Sequence, residues 1–141
     1  MTESIIASFE GLIKDILMLN DIMISIRSAG GVAELRLDKD TPFRIKYQWA
    51  TIGDEKGQWH LHINIYDVKV AKFIVEDKED GRKSYSIRFF NSNNDLILRV
   101  NFLKMYTPEK TIIPENISRY EKLFSKYGEN QSLTLTIKQI D

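Results

Sequence analysis

The chain has 141 residues, no cysteine, and 20 basic residues balanced by 20 acidic ones. That length predicts a single domain, 1–141, with a core large enough to stand without disulfides. Charge neutrality argues against a dedicated nucleic-acid binder, which carries a basic excess to neutralise phosphates.

The N-terminal stretch MTESIIASFEGLIKDILML carries Glu3, Glu10, Lys14 and Asp15 inside its apolar pattern. It lacks the basic start and unbroken apolar run of a secretory signal, and it is too polar to span a bilayer. With cysteine absent, a cytoplasmic protein without membrane insertion is expected. Within the same stretch Ile5, Phe9, Leu12, Ile16 and Leu19 recur at three- and four-residue steps. The spacing predicts an amphipathic helix over about 3–19.

The period then changes to two. DIMISIRS alternates Ile22, Ile24 and Ile26 with Met23, Ser25 and Arg27, and VAELRLD comes after the turn residues SAGG. PFRIKYQWA reads as one strand with Phe43, Ile45, Tyr47 and Trp49 opposite Arg44, Lys46 and Gln48. GDEKG turns the chain into GQWHLHINIYD, where Trp59, Leu61, Ile63 and Ile65 alternate with His60, His62, Asn64 and Tyr66. VKVAKFIVE is apolar on both faces, as a central strand would be. SYSIRFF and LILRVNFL form a further pair across NSNND, and an Asp80-Gly81 turn precedes them. Pro114 suits the first turn of a second helix over about 114–127, and Gly128 suits a left-handed end to it. QSLTLTIKQI alternates again, as a last strand or a tail.

Helix, about seven strands joined by short turns, then helix predicts an α+β domain with both helices packed on one antiparallel sheet. Its core is expected to include Ile16, Ile24, Leu35, Ile45, Trp59, Leu61, Ile63, Ile87, Phe89, Leu98, Val100 and Phe124.

No nucleophile elbow, Walker loop or dinucleotide fingerprint occurs, and the carboxylates fall mostly in turns, so enzyme motifs are absent. The chemistry rests on the two histidines. A strand places His60 and His62 on one face, but a mononuclear metal needs a third ligand that neighbouring strands do not offer. Arg44 and Lys46 precede them, and Arg88 and Arg99 hold polar positions on the later pair. Such a face reads either as the wet side of a sheet or as a seat for a flat anionic ligand, with imidazole for iron and cations for carboxylates.

From residue 59 to 128 the order WHLHI, VAKFIVEDKEDGRKSYSIRFFNSNNDLILRVNF and ISRYEKLFSKYG resembles the bacterial haem-utilisation carriers, the HemS/ChuX/HutX group. The matching features are the H-x-H strand at His60 and His62, Gly81-Arg82 before Phe89-Phe90-Asn91, and a closing helix with Tyr120 and Leu123. The resemblance implies a large antiparallel sheet with packed helices, a homodimer of single units, and intracellular binding and trafficking of haem for iron utilisation. It implies iron ligation through His60 or His62; Arg44, Lys46 and Arg88 are then candidates for pairing with the propionates. A haem-degrading enzyme and a diverged member that binds another small molecule or a protein are the alternatives.

Overall fold

The computed structural model describes residues 5–128 and 132–136. Its elements in chain order are β1 (Ile5–Ser8), α1 (Phe9–Leu17), β2 (Ile22–Ser28), β3 (Gly31–Leu37), β4 (Phe43–Lys46) and β5 (Trp49–Gly53). They continue with β6 (His60–Asn64), β7 (Val70–Asp77), β8 (Lys83–Phe90), β9 (Leu96–Phe102), α2 (Pro114–Leu123), a π-helical turn (Phe124–Gly128) and β10 (Ser132–Thr136). The expected α+β class holds. The strands, however, form two sheets rather than one: a seven-stranded sheet in the order β1-β10-β7-β8-β9-β2-β3, and a three-stranded sheet β4-β5-β6.

Every pairing is antiparallel except β1 with β10. That pair also corrects the N-terminal reading, because residues 5–8 are a strand and the helix starts only at Phe9. Ser8 is the reason for the switch. Its backbone is extended, and its hydroxyl accepts from the Gly11 amide at 2.9 Å, capping the first turn. The helical spacing of Ile5 is a coincidence of pattern; β1 is held by a partner more than a hundred residues away, which local periodicity does not register.

Both helices cover the same face of the large sheet. Phe9 of α1 meets Phe89 edge-on at 5.9 Å. Tyr120 of α2 lies within 5.1–5.7 Å of Tyr85, Phe102 and Phe73. Cross-strand register puts Phe73, Ile87 and Val100 in one row and Ala71, Phe89 and Leu98 in the next, all on this face. The inner residues of the small sheet, Ala50, Ile52, Leu61 and Ile63, join the same buried cluster. Eight of the twelve expected core residues are buried; Leu35, Ile45, Trp59 and Phe124 are half-buried and pack against the others.

Arg119 ties α2 to the rest. Its guanidinium donates to the carbonyls of Leu103 (2.6 Å), Asp21 (3.3 Å) and Asn20, and it lies over the Phe102 ring. Gly128 closes the π-helical turn, but not in the left-handed conformation expected of it, since only Gly53 and Gly81 among the glycines have positive φ. Its missing side chain matters for another reason: a Cβ there would sit 2.8 Å from the Phe73 ring.

Burial pushes the Tyr120 phenol up to about 12, with Tyr85 adding to the shift. The neutral phenol is therefore favoured in the folded protein. Stability should be unaffected by this group below its ordinary value near 10 and fall as pH rises from about 10 to about 12, by up to roughly 3 kcal/mol. Melting temperatures measured across that range should show the fall, and Tyr120→Phe should make it shallower.

Candidate functional site

The small sheet builds the site. β4 and β5 are joined by a two-residue turn at Tyr47 and Gln48, so PFRIKYQWA is not one strand as its alternation suggests. Tyr47 takes a left-handed φ of 57°, a conformation uncommon for a residue with a side chain. The turn reverses the facing of β5: Trp49 points outward with Lys46 rather than inward with Ile45.

Register then sets the outer face row by row. Arg44 pairs with Thr51, which pairs with His62; Lys46 pairs with Trp49, which pairs with Asn64; Gly53 pairs with His60. Directly paired residues project to the same side, so Arg44, Lys46, Trp49, Thr51, His60, His62 and Asn64 share one face. The opposite face carries the buried Ala50, Ile52, Leu61 and Ile63. The two histidines are both exposed, with ring centroids 5.0 Å apart. Trp49 meets His62 edge-on at 6.5 Å, and a 2.8 Å hydrogen bond joins Thr51 Oγ1 to His62 Nδ1. His62 also borders a cleft of about 290 Å³, lined on its other side by Ile26 and Ile97 of the large sheet and by Asn91 in the turn after β8.

Two of the three expected cations are on this face and one is not. Arg44 is bound to Glu55 at 2.5 Å, and its hydrogen bond holds the Glu55 carboxyl below the usual carboxylate range, the two histidines adding smaller pulls. Lys46 is exposed, with Nζ 6.0 Å from the Tyr47 ring. Arg88 belongs to the large sheet. It alternates with the core residues Ile87 and Phe89, so it points away from the helices, where it bonds Ser86 Oγ at 3.3 Å and pairs with Glu76. Arg99 stands beside it in register, its Nε donating to Asn101 at 2.6 Å. Arg88 and Arg99 thus stand on the large sheet and the histidines on the small one, not side by side on a single sheet as the alternation suggests.

Sequence pattern alone does not mark Thr51, Trp49 or Glu55 as part of this face. Thr51 is recoverable in principle, because a β5–β6 hairpin with this register must set it against His62. Glu55 carries no signal, being one of several acids in a charged turn. Among the described residues no group of three His, Cys, Asp or Glu side chains comes together, and no helix is long and apolar enough to cross a membrane.

The α+β fold is the one seen in solved ChuX structures. A protein-family model matches residues 10–128, and the chain belongs to the family it describes. A solved structure of ChuX superposes with a TM-score of 0.69 at 15% identity, covering 84% of this chain and 71% of that one. A second structure, described as the haem-binding protein ChuX, gives 0.68 at 14% identity over 84% and 71% of the two chains. A protein from Erwinia carotovora is similar at 0.68 and 15%, over 84% of this chain and 70% of that one. No curated protein matches in sequence.

Proposed function

We propose that this protein binds haem and serves in intracellular haem trafficking for iron utilisation, with His62 as the iron ligand and His60 beside it. The observation that carries the reading is the Thr51–His62 hydrogen bond, in which a buried hydroxyl holds an exposed imidazole. In the tautomer whose Nδ1–H donates to Thr51 Oγ1, Nε2 keeps its lone pair for a metal. Fixing one ring nitrogen in this way is what orients metal-bound histidines generally. His60 has no such partner among the described residues.

The surroundings fit the group. Trp49 and Tyr47 are exposed flat apolar surfaces on the same side, and Lys46 and Arg44 are cations for propionates. Arg44 must leave Glu55 to serve, so Lys46 is the readier of the two. Bound haem would supply an iron open to axial imidazole; the chain supplies the ligand, the apolar rim and the counter-charges. A neighbour described as haem-binding shares the fold, which supports the reading. Hemin titrated into the purified protein should give a saturable Soret shift at about one equivalent per chain, and an unshifted spectrum would sink the proposal.

The small sheet covers haem from one side only, and the large sheet has a face that both described helices leave open. That face holds half-buried Ile74, Phe90 and Ile97 together with Arg88, Arg99 and Asn101 and the buried Ser25 and Ser86. We take a homodimer as the functional unit. Light scattering at micromolar concentration should return twice the 16.5 kDa chain mass; a monomer would contradict it.

A further inference from the structure

We infer a second binding site, for a small molecule bearing two or more anionic groups (phosphates or carboxylates), in a basic pocket at the end of the large sheet where β8 and β9 part. The pocket has a volume of about 340 Å³, at the small end of the range for ligand sites, about 300–1,000 Å³.

The backbone makes the opening. β8 starts at Lys83 and β9 runs on to Phe102, yet the ladder between them stops at Ser86 and Asn101. Past that pair β8 stays with β7 as far as Lys83, while β9 stays with β2 as far as Phe102. The two strands therefore diverge and leave a notch in the sheet. The chain after β9 bridges it at one point, where the Lys83 amide donates to the Tyr106 hydroxyl at 2.9 Å.

Charge says what the notch would hold. Lys78, Arg82, Lys83, Arg99 and Lys104 line it, and among the described residues no acidic side chain does. In a chain of 20 basic and 20 acidic residues this is a local segregation that overall neutrality hides. Two of the five are neutralised from outside the pocket, Arg82 by Asp80 at 2.5 Å and Lys104 by Asp21 at 3.3 Å. Lys78, Lys83 and Arg99 have no carboxylate partner among the described residues.

Arg99 carries most weight because it is half-buried. Burial pulls its pKa down, and the nearby Arg27 adds to the shift. Its Nε donates to Asn101 at 2.6 Å, a neutral partner that leaves the charge uncompensated. A partly desolvated cation without a counter-charge is costly, and an anion bonded to the guanidinium offsets that cost. The guanidinium fork fits phosphate and carboxylate alike, so the number of cations rather than their type sets the ligand class.

The backbone of Lys104 points the same way. It has a left-handed φ of 56°, and its carbonyl is held there by Asn116 Nδ2 at 2.7 Å. Such conformations persist where the surroundings impose them, and they cluster at ligand sites. β8 leads from this pocket at Lys83 to the cleft beside His62 at Asn91, roughly 25 Å away at about 3.3 Å per residue. The pocket and the histidine face therefore stand or fall independently.

Isothermal titration of the full chain with pyrophosphate and with citrate, at low salt, tests the site and separates the two anion types. At least one should bind saturably at about one equivalent per chain, with Kd below about 1 mM, and more weakly as salt rises. Pyrophosphate alone assigns phosphates, and citrate alone assigns carboxylates. Lys83→Gln and Arg99→Gln should each weaken binding roughly tenfold, the worth of one charge-assisted hydrogen bond. Lys83 is exposed, so its variant reports on the pocket even where Arg99→Gln disturbs the sheet. Arg36→Gln, which removes an exposed cation of β3 outside the pocket, and the His60→Ala/His62→Ala double variant should bind as the wild type does. Absence of saturable binding of either anion, or a Lys83→Gln variant that binds as tightly as Arg36→Gln, overturns the site.

Discussion

The double variant His60→Ala/His62→Ala is expected to lose hemin affinity by more than about 100-fold while remaining folded, with a modest fall in melting temperature from the lost Thr51–His62 bond. Both side chains are exposed, and the sheet beneath them is held by Ala50, Ile52, Leu61 and Ile63, which the substitutions leave alone. Exposed substitutions usually change stability by no more than about 0.5 kcal/mol, and loss of the bond to the buried Thr51 hydroxyl adds about 1 kcal/mol. The loss of affinity has a lower bound in the milder case of removing only a ligand's hydrogen-bond partner, which costs about 10–100-fold. Losing the ligand itself must cost more. Absorbance titration of both proteins checks the affinity, and circular dichroism melts check the fold. If the two proteins titrate alike, haem is held elsewhere.

Gly53→Val should have the largest effect on stability of any single change at the site, about 4 kcal/mol. Gly53 has a φ of 99°, in the left-handed region where a β-branched residue is strained by roughly 1–2 kcal/mol. A Cβ there would also lie 2.7 Å from the Trp59 carbonyl oxygen and 2.7 Å from its ring. The oxygen cannot move freely, because it accepts the Asp54 amide at 3.1 Å to close the β5–β6 turn. Overpacking of this sort adds about 1–3 kcal/mol. The hairpin that sets His60 against Gly53 and His62 against Thr51 would be displaced, so hemin binding should fall together with the urea midpoint. A variant as stable as the wild type would show that the turn relaxes more easily than its contacts suggest.

The parts of the fold that are legible in the sequence are those that local pattern and turn chemistry determine. The β8–β9 pair, the Asp80-Gly81 turn and the Pro114 helix start are all dictated by neighbours in the chain. So is the facing of the histidine strand, with Leu61 and Ile63 buried and His60 and His62 exposed. The rest depends on pairing over distance or on a conformation that the residue type disfavours. β1 is a strand because β10 lies beside it, and the β4–β5 turn depends on a tyrosine in a left-handed conformation that no Gly or Asn announces. That hidden turn has the largest consequence. Read as continuous strand, the segment puts Trp49 on the same face as Phe43 and Ile45 and lets a single sheet gather Arg88 with the histidines. Broken at Tyr47, it moves Trp49 onto the histidine face and leaves Arg44 and Lys46 as its cations. The Thr51–His62 bond becomes visible only once register is known.

The central claim is that a strand histidine ligates haem iron, and that Thr51 selects His62 for the task. Resonance Raman spectra of the ferrous complex read this bond directly through the iron–imidazole stretch. The wild type and His60→Ala should both show the band, and His62→Ala should lose it. Retention of the band in His62→Ala, or its absence from the wild type, would contradict the assignment.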